Sequence, residues 1–206
     1  MPVKINIGCG VHLVGRGWIN VDRYFSLEQL KAKKGQFRQA IIEKGAKFVQ
    51  ADVTELPFPD NYADVIECHQ VLEHVRFHLV PRAFKEIYRV LKPEGVFYAD
   101  VPSMDGLALD WLNMSVFPEL DLNYYHNVME TIYGNQYGET GDGETHRCAF
   151  NMKYLNWLLV QAGFKNGDLI LAKKGSQIHK FGELVKGSKK KVYRYDNLLC
   201  EVKKPI

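Results

Sequence analysis

The chain has 206 residues, of which 46% are hydrophobic and 25% charged, and a formal net charge of +3. That length suits one domain around one core, and 11 Phe, 11 Tyr and 3 Trp supply apolar area that a disordered chain lacks. A bilayer-spanning helix is excluded, because no apolar run approaches the ~20 residues that cross the hydrocarbon core.

The opening MPVKINIGCG runs straight into a strand pattern with no charged-then-apolar leader. The four cysteines, Cys9, Cys68, Cys148 and Cys200, are scattered and form no CxxC pair. Both features point to the reducing cytoplasm. Charge is uneven: from Gly163 onward 11 basic and 4 acidic residues give +7, which leaves −4 on the first 162 residues. Lys186, Lys189, Lys190, Lys191 and Arg194 either form a solvated face or attract an anionic substrate through their field.

Residues 3–7 (VKINI) read as a buried strand broken by Gly8-Cys9-Gly10. Trp18–Val21 is a second strand, stopping at Asp22. Residues 26–43 space Leu27, Leu30, Phe37, Ile41 and Ile42 as an amphipathic helix with Ser26 at its N-cap. Strand three is Ala46–Gln50, ending at Ala51-Asp52, and the loop LPFPD leads to strand four at Asp64–Cys68. Helices are predicted at Gln70–Phe77 and from Pro81 to Leu91, the latter stopped by Lys92-Pro93-Glu94-Gly95, where glycine accepts a left-handed turn. Val96–Val101 is strand five. A long segment follows, with a helical stretch at Asn123–Tyr133 and a loop rich in glycine. Residues 151–162 form a helix capped by Asn151 and stopped by Gly163, and the last strands fall near 167–172 and 197–203.

Strands alternating with helices imply an α/β fold, doubly wound, with a mostly parallel sheet covered on both faces. In such sheets ligands bind beyond the carboxyl ends of the strands. Four signals stand there: Gly8-Cys9-Gly10, Asp22, Asp52 and Cys68-His69. Glycines let backbone amides approach a ligand because no Cβ intervenes, and a carboxylate closing strand two can accept from both hydroxyls of a ribose. A dinucleotide needs GxGxxG spacing and a helix N-terminus for its pyrophosphate; here Leu13 stands where the third glycine belongs. The compact GxG suits a nucleoside cofactor without phosphate, such as S-adenosylmethionine.

The strings INIGCG…GWINVD, ADVTELPFPDNYADVIECHQVLEHV and LKPEGVFYADVP together resemble the class I S-adenosylmethionine-dependent methyltransferase superfamily, in its branch of small type 11 methyltransferases. The likeness runs from about residue 3 to 102. It implies a Rossmann-like seven-stranded sheet of order 3-2-1-4-5-7-6 in a single domain over 1–206, with a substrate lid inserted after strand five at 103–147. It also implies S-adenosylmethionine as cofactor, left as S-adenosylhomocysteine. By position, Gly8, Cys9 and Gly10 match the turn beneath the methionine part. Asp22, with Arg23 beyond it, matches the acidic residue at the ribose. Asp52 and Val53 match the pair at the adenine, and Cys68 and His69 the turn beside the methionine end. The helix between strands one and two is nearly lost, a departure from the family pattern.

The branch implies a small-molecule or saccharide acceptor methylated on oxygen or nitrogen. A nucleic-acid methyltransferase and a catalytically silent cofactor-binding protein are the rival readings. A base for the acceptor's proton would come from His146 first, or from His69, His126 or Asp105, with Tyr124, Tyr125 and Tyr133 shaping the pocket. Each signal has a plainer alternative: Asp22 as a cap, Asp52 capping its own turn, and Glu73 satisfying nearby backbone. His74 and His78 have the four-residue spacing of a zinc pair on a helix but lack a third ligand in the sequence, so no metal is expected. The sequence does not fix the oligomeric state.

Overall fold

A computed structural model describes residues 2–10, 13–26, 28, 47–116, 122–134, 145–165, 168–172 and 197–206. Seven strands form one sheet: β1 (Lys4–Ile7), β2 (Trp18–Asp22), β3 (Lys47–Gln50), β4 (Ala63–His69), β5 (Leu91–Pro102), β6 (Asp168–Ala172) and β7 (Asn197–Lys203). Their order is β3-β2-β1-β4-β5-β7-β6. The pairs from β3 to β5 are parallel, while β7 runs antiparallel between β5 and β6. This is the doubly wound order that the sequence resemblance implied.

Central strands of such a sheet are buried on both faces, which is why they read as continuous apolar runs. Ile5, Ile66, Cys68 and Phe97 are fully buried. Four helices are described: α1 (Val80–Val90), α2 (Met104–Val116), α3 (Leu122–Tyr133) and α4 (Met152–Ala162). Helix α1 buries Val80, Ala83, Phe84, Ile87 and Val90, one stripe at helical spacing, with about 1.5–3 kcal/mol gained for each large side chain. Phe84 meets Phe97 of β5 edge to face at 6.3 Å. Helix α4 is capped as expected, since Asn151 Oδ1 accepts from the Tyr154 amide at 2.8 Å and Gly163 takes φ 114. A side chain at 163 would sit 2.8 Å from the Tyr88 ring.

Two local expectations fail, and one helix was not expected. Gln70–Phe77 is not an α-helix; it forms two 3₁₀ turns, Leu72–His74 and Phe77–Leu79. The Glu73 carbonyl accepts from the Arg147 and Cys148 amides at 2.6 and 3.0 Å, so a distant segment takes the acceptor that a helix would use. At the end of α1 the left-handed residue is Glu94, φ 63, rather than Gly95. Gly95 is needed for space, because a Cβ there would lie 2.8 Å from the Lys92 carbonyl oxygen. Helix α2 was not foreseen, although its signal is Ser103, a buried N-cap whose hydroxyl accepts from the Gly106 amide at 3.2 Å. All but Ser26 and Glu28 of the expected 26–43 helix, and the basic cluster Lys186–Arg194, lie outside the described residues.

Lys204 ties the end of β7 to the loop before β4 and to the end of α1. Its ammonium donates to Asn61 Oδ1 at 2.7 Å and to the carbonyls of Tyr88 and Leu91 at 2.8 and 2.7 Å, with the Tyr88 ring centroid 4.5 Å away. Substituting Lys204→Ala leaves these buried acceptors without their charged donor and is expected to cost about 2–3 kcal/mol. Urea unfolding of the two proteins measures it, and a loss below about 0.5 kcal/mol would assign the lysine to an ordinary surface role.

Candidate functional site

The parallel register pairs Ile7 with both Val21 and Cys68, and Asp22 with Gln50, so the carboxyl ends of β1 to β4 meet at one edge. A cavity of about 210 Å³ opens beyond that edge. It is several times the ~30 Å³ share of one water and therefore of ligand size. Its wall includes Ile7, Gly8, Gly10, Asp22, Arg23, Tyr24, Phe25, Asp52, Val53, Gln70, Val71, His74, Val75 and Leu79.

The turn after β1 needs its glycines. Gly8 has φ 68 and donates to the Val21 carbonyl at 2.7 Å; a Cβ on it would reach 2.1 Å from Val71 Cγ2. Gly10 has φ 49, and a Cβ there would meet nothing within 4 Å, so its backbone faces open space. Asp22 is buried at 6% exposure, and its charge is met by main-chain amides. Oδ2 accepts from Gly10 at 2.8 Å, and Oδ1 accepts from Tyr24 at 2.8 Å and Phe25 at 3.3 Å. Cys9, between the glycines, is buried, and burial followed by the Asp22 charge pushes its thiol up to about 12. It does not line the cavity.

Asp52 divides its two oxygens. Oδ1 accepts from the Thr54 amide at 2.9 Å and hydroxyl at 2.8 Å, the turn-capping role, while Oδ2 pairs with Arg23 Nη1 at 2.9 Å. Val53 beside it is buried at the cavity wall. Cys68 is wholly buried, its thiol raised by that burial, and is not part of the wall.

His69 lies 2.5 Å from Asp100 Oδ1 through Nδ1 and 3.7 Å from Glu67 Oε2 through Nε2. Hydrogen bonding to Asp100, then to Glu67, pushes it up to about 9, so its imidazole is a cation at neutral pH and donates protons rather than accepting them. His69 also stands off the cavity wall, where its neighbour Gln70 takes the place. Gln70 has φ 53 and donates through Nε2 to Asp100 Oδ2 at 2.7 Å. His126 is exposed on α3 and Asp105 exposed on α2, and neither is among the residues lining the cavity. Tyr133 is half exposed, and the side chains of Tyr124 and Tyr125 lie outside those described.

His146 meets the wall through His74. The two rings stand edge to face at 4.8 Å. His74 Nδ1 lies 3.2 Å from the Thr145 carbonyl and His146 Nδ1 2.9 Å from the Thr131 carbonyl. Carbonyl oxygens only accept, so each Nδ1 carries the proton. Burial, and then His74 beside it, holds His146 below the usual histidine range. His78, the partner expected for His74 from spacing, is exposed on the second 3₁₀ turn. Glu73 satisfies distant backbone with its carbonyl, as described above, and not with its side chain. That carboxyl is 1% exposed, and neither oxygen accepts a hydrogen bond of normal geometry. Burial raises it to about 8, its own amide partly offsets this, and the Asp100 charge adds to it.

Gly8→Ala adds both a left-handed penalty and a collision with Val71, and is expected to destabilise the protein by about 2–4 kcal/mol. A denaturation midpoint equal to wild type would show that the turn tolerates a side chain. His69 has a folded pKa of about 9 against its ordinary 6.5. Its ion pair therefore stabilises the fold fully below pH 6.5 and ceases to do so as pH rises through 9. The stability gap between wild type and His69→Gln should shrink across that window, as read by chemical denaturation. A gap independent of pH would contradict the pairing.

The methyltransferase domain family profile matches residues 5–99. The ubiquinone/menaquinone biosynthesis C-methyltransferase UbiE of Vibrio campbellii is 30% identical over 139 residues, covering 62% of this chain and 53% of that protein. The chain thus spans about half the length of the curated relatives it matches. Among solved structures, an S-adenosylmethionine-dependent methyltransferase from Methanosarcina mazei has a TM-score of 0.62 at 17% identity, covering 98% of this chain and 92% of the other. Human N-acetylserotonin methyltransferase in complex with S-adenosylmethionine has a TM-score of 0.54 at 15% identity, covering 100% of this chain and 48% of the human one. Sheet order and profile agree: residues 5–99 match a methyltransferase domain, and the chain shares the fold of S-adenosylmethionine-dependent methyltransferases.

Proposed function

We propose that this protein binds S-adenosylmethionine in the cavity at the β1–β4 edge and methylates a small-molecule or saccharide acceptor on oxygen or nitrogen. The observation that carries the reading is the convergence of the Gly8–Gly10 turn, Asp22 and Asp52-Val53 on that single cavity, three signals that are far apart in the sequence. The fit to the cofactor is good. Gly10 offers bare backbone facing open space, where the methionine part would lie. A carboxylate has about four acceptor positions, and the three amides on Asp22 leave room for a ribose hydroxyl. Tyr24, Phe25, Val53, Val71 and Leu79 give the apolar walls that a purine favours. Asp52, held by Arg23, would orient the adenine edge beside Val53.

When bound, the cofactor supplies a methyl group on a sulfonium, which leaves with its bonding electrons remaining on sulfur. The protein's part is alignment, and acceptance of a proton where the acceptor must lose one. Of the three histidines expected to serve, His146 is the one beside the cavity, through His74. That wall is the acceptor side in this reading, covered by residues 103–147 as a lid. Four free cysteines, three of them buried, suit the cytoplasm. A second reading, transfer to carbon, is favoured by the names of the curated relatives, which are C-methyltransferases.

Calorimetry with S-adenosylhomocysteine should give saturable binding that Asp22→Asn weakens by about 1.5–3 kcal/mol, the size of a charge-assisted hydrogen bond. Unchanged affinity would remove Asp22 from the site. Incubation with methyl-labelled cofactor and a panel of hydroxylated, amino and phenolic acceptors, with products fragmented by mass spectrometry, reports which atom carries the methyl. Label on oxygen or nitrogen supports the main reading, and label on carbon replaces it.

A further inference from the structure

The carboxylate of Glu73 and the ring nitrogens of His74 and His146 bring one potential ligand atom each to within 4.8 Å of one another. We propose that these three residues form a binding site for a single first-row transition-metal dication of the zinc type, at the acceptor end of the cavity. The metal assignment stands on these side chains alone; its placement at the acceptor end rests on the proposed methyltransferase reading.

Four observations carry the assignment. Glu73 is a fully buried carboxyl whose two oxygens lack a hydrogen-bond partner. An acceptor-only group in that state is costly unless a cation or a proton answers it. Second, the imidazoles of His74 and His146 face backbone carbonyls through Nδ1. That is the outer-shell arrangement that orients a metal-ligating imidazole. Third, the elements are clamped together before any ligand arrives. The amides of Arg147 and Cys148 donate to the Glu73 carbonyl, and the His146 amide donates to Tyr133 at 3.0 Å. Fourth, His74 belongs both to the trio and to the cavity wall.

The chemistry of the donor set selects the ion. Two imidazoles and one carboxylate suit zinc and its neighbours, whereas magnesium and calcium prefer oxygen ligands. Bond lengths of ~2.0–2.2 Å place donor atoms about 3–3.5 Å apart, so the trio, now within 4.8 Å, closes by up to about 1.3–1.8 Å when the ion binds. Three protein ligands would leave a coordination position, and His74 also lines the cavity. A hydroxyl or enol acceptor bound to the ion would lose its proton more readily, because the ion stabilises the oxyanion, and His146 would then act as a ligand and not as the base.

The test uses the full chain, stripped with chelator and titrated with Co(II), whose visible absorption bands report nitrogen and oxygen ligation. One Co(II) per chain should bind saturably, and Zn(II) should displace it. Glu73→Gln and His146→Gln should each weaken binding at least tenfold, the lower end of what even an outer-shell loss costs, while His78→Gln leaves it unchanged. Circular dichroism checks folding of each variant. His146→Gln, at a half-buried position, carries the test if Glu73→Gln does not fold. No saturable band, or one that the folded variants leave intact, would overturn the site. S-adenosylhomocysteine affinity is measured on the same samples without metal. Its loss in wild type would sink the methyltransferase reading while leaving the Co(II) result standing, and its retention with no Co(II) binding would sink the metal site alone.

Discussion

The carboxylate of Asp22 joins the turns that follow two neighbouring strands, β1 and β2. It is buried, so its charge must be answered, and it is answered by amides from both sides: Gly10 after β1, and Tyr24 and Phe25 after β2. A buried charge with aligned donors fixes geometry, because leaving any donor costs the pairing that burial made necessary. The Gly8–Gly10 turn is thereby held open toward the cavity, its left-handed backbone retained against the ordinary preference of the chain. The same carboxylate stands at the wall where a nucleoside's sugar would lie. One interaction thus shapes the cleft and offers it a hydrogen-bond acceptor.

A second tertiary contact governs the opposite wall. The carbonyl of Glu73 receives the amides of Arg147 and Cys148, which draws the segment before α4 onto the turn following β4. That contact breaks the local helix, brings His146 against His74, and seals the Glu73 carboxyl from water. One side of the cleft is therefore built from neighbouring strand ends, and its other side from a long-range clamp. In the proposed reading, chemistry on the acceptor side depends on residues that the sheet alone does not position.

This division explains what could be read from the sequence. Strand positions, the glycine turn and the acidic strand ends were legible because apolar β-branched runs and their breaks are local signals, whereas the strand order came from the family resemblance. Helices α1 and α4 were legible through their apolar stripes, and α4 also through its Asn151 and Gly163 boundaries. Cys9 and Cys68 match ligand positions in sequence, yet both side chains are buried away from the cavity wall. The 3₁₀ turns at Leu72–Leu79 were hidden, since QVLEHV has helical spacing and only the distant 147–148 amides decide otherwise. The partner of His74 was hidden for the same reason. His78 has the right spacing, and His146 has the right place. The need for glycine at 95 comes from the Lys92 carbonyl and not from a left-handed backbone, which Glu94 takes instead, a contact that no propensity records.

The most direct measurement is a crystal structure grown with S-adenosylhomocysteine. The account places its ribose against Asp22, its amino-acid part over the Gly8–Gly10 backbone and its sulfur toward His74. Density for the nucleoside elsewhere on the protein, or a cleft in which Asp22 and Gly10 touch no ligand atom at saturating concentration, would contradict it.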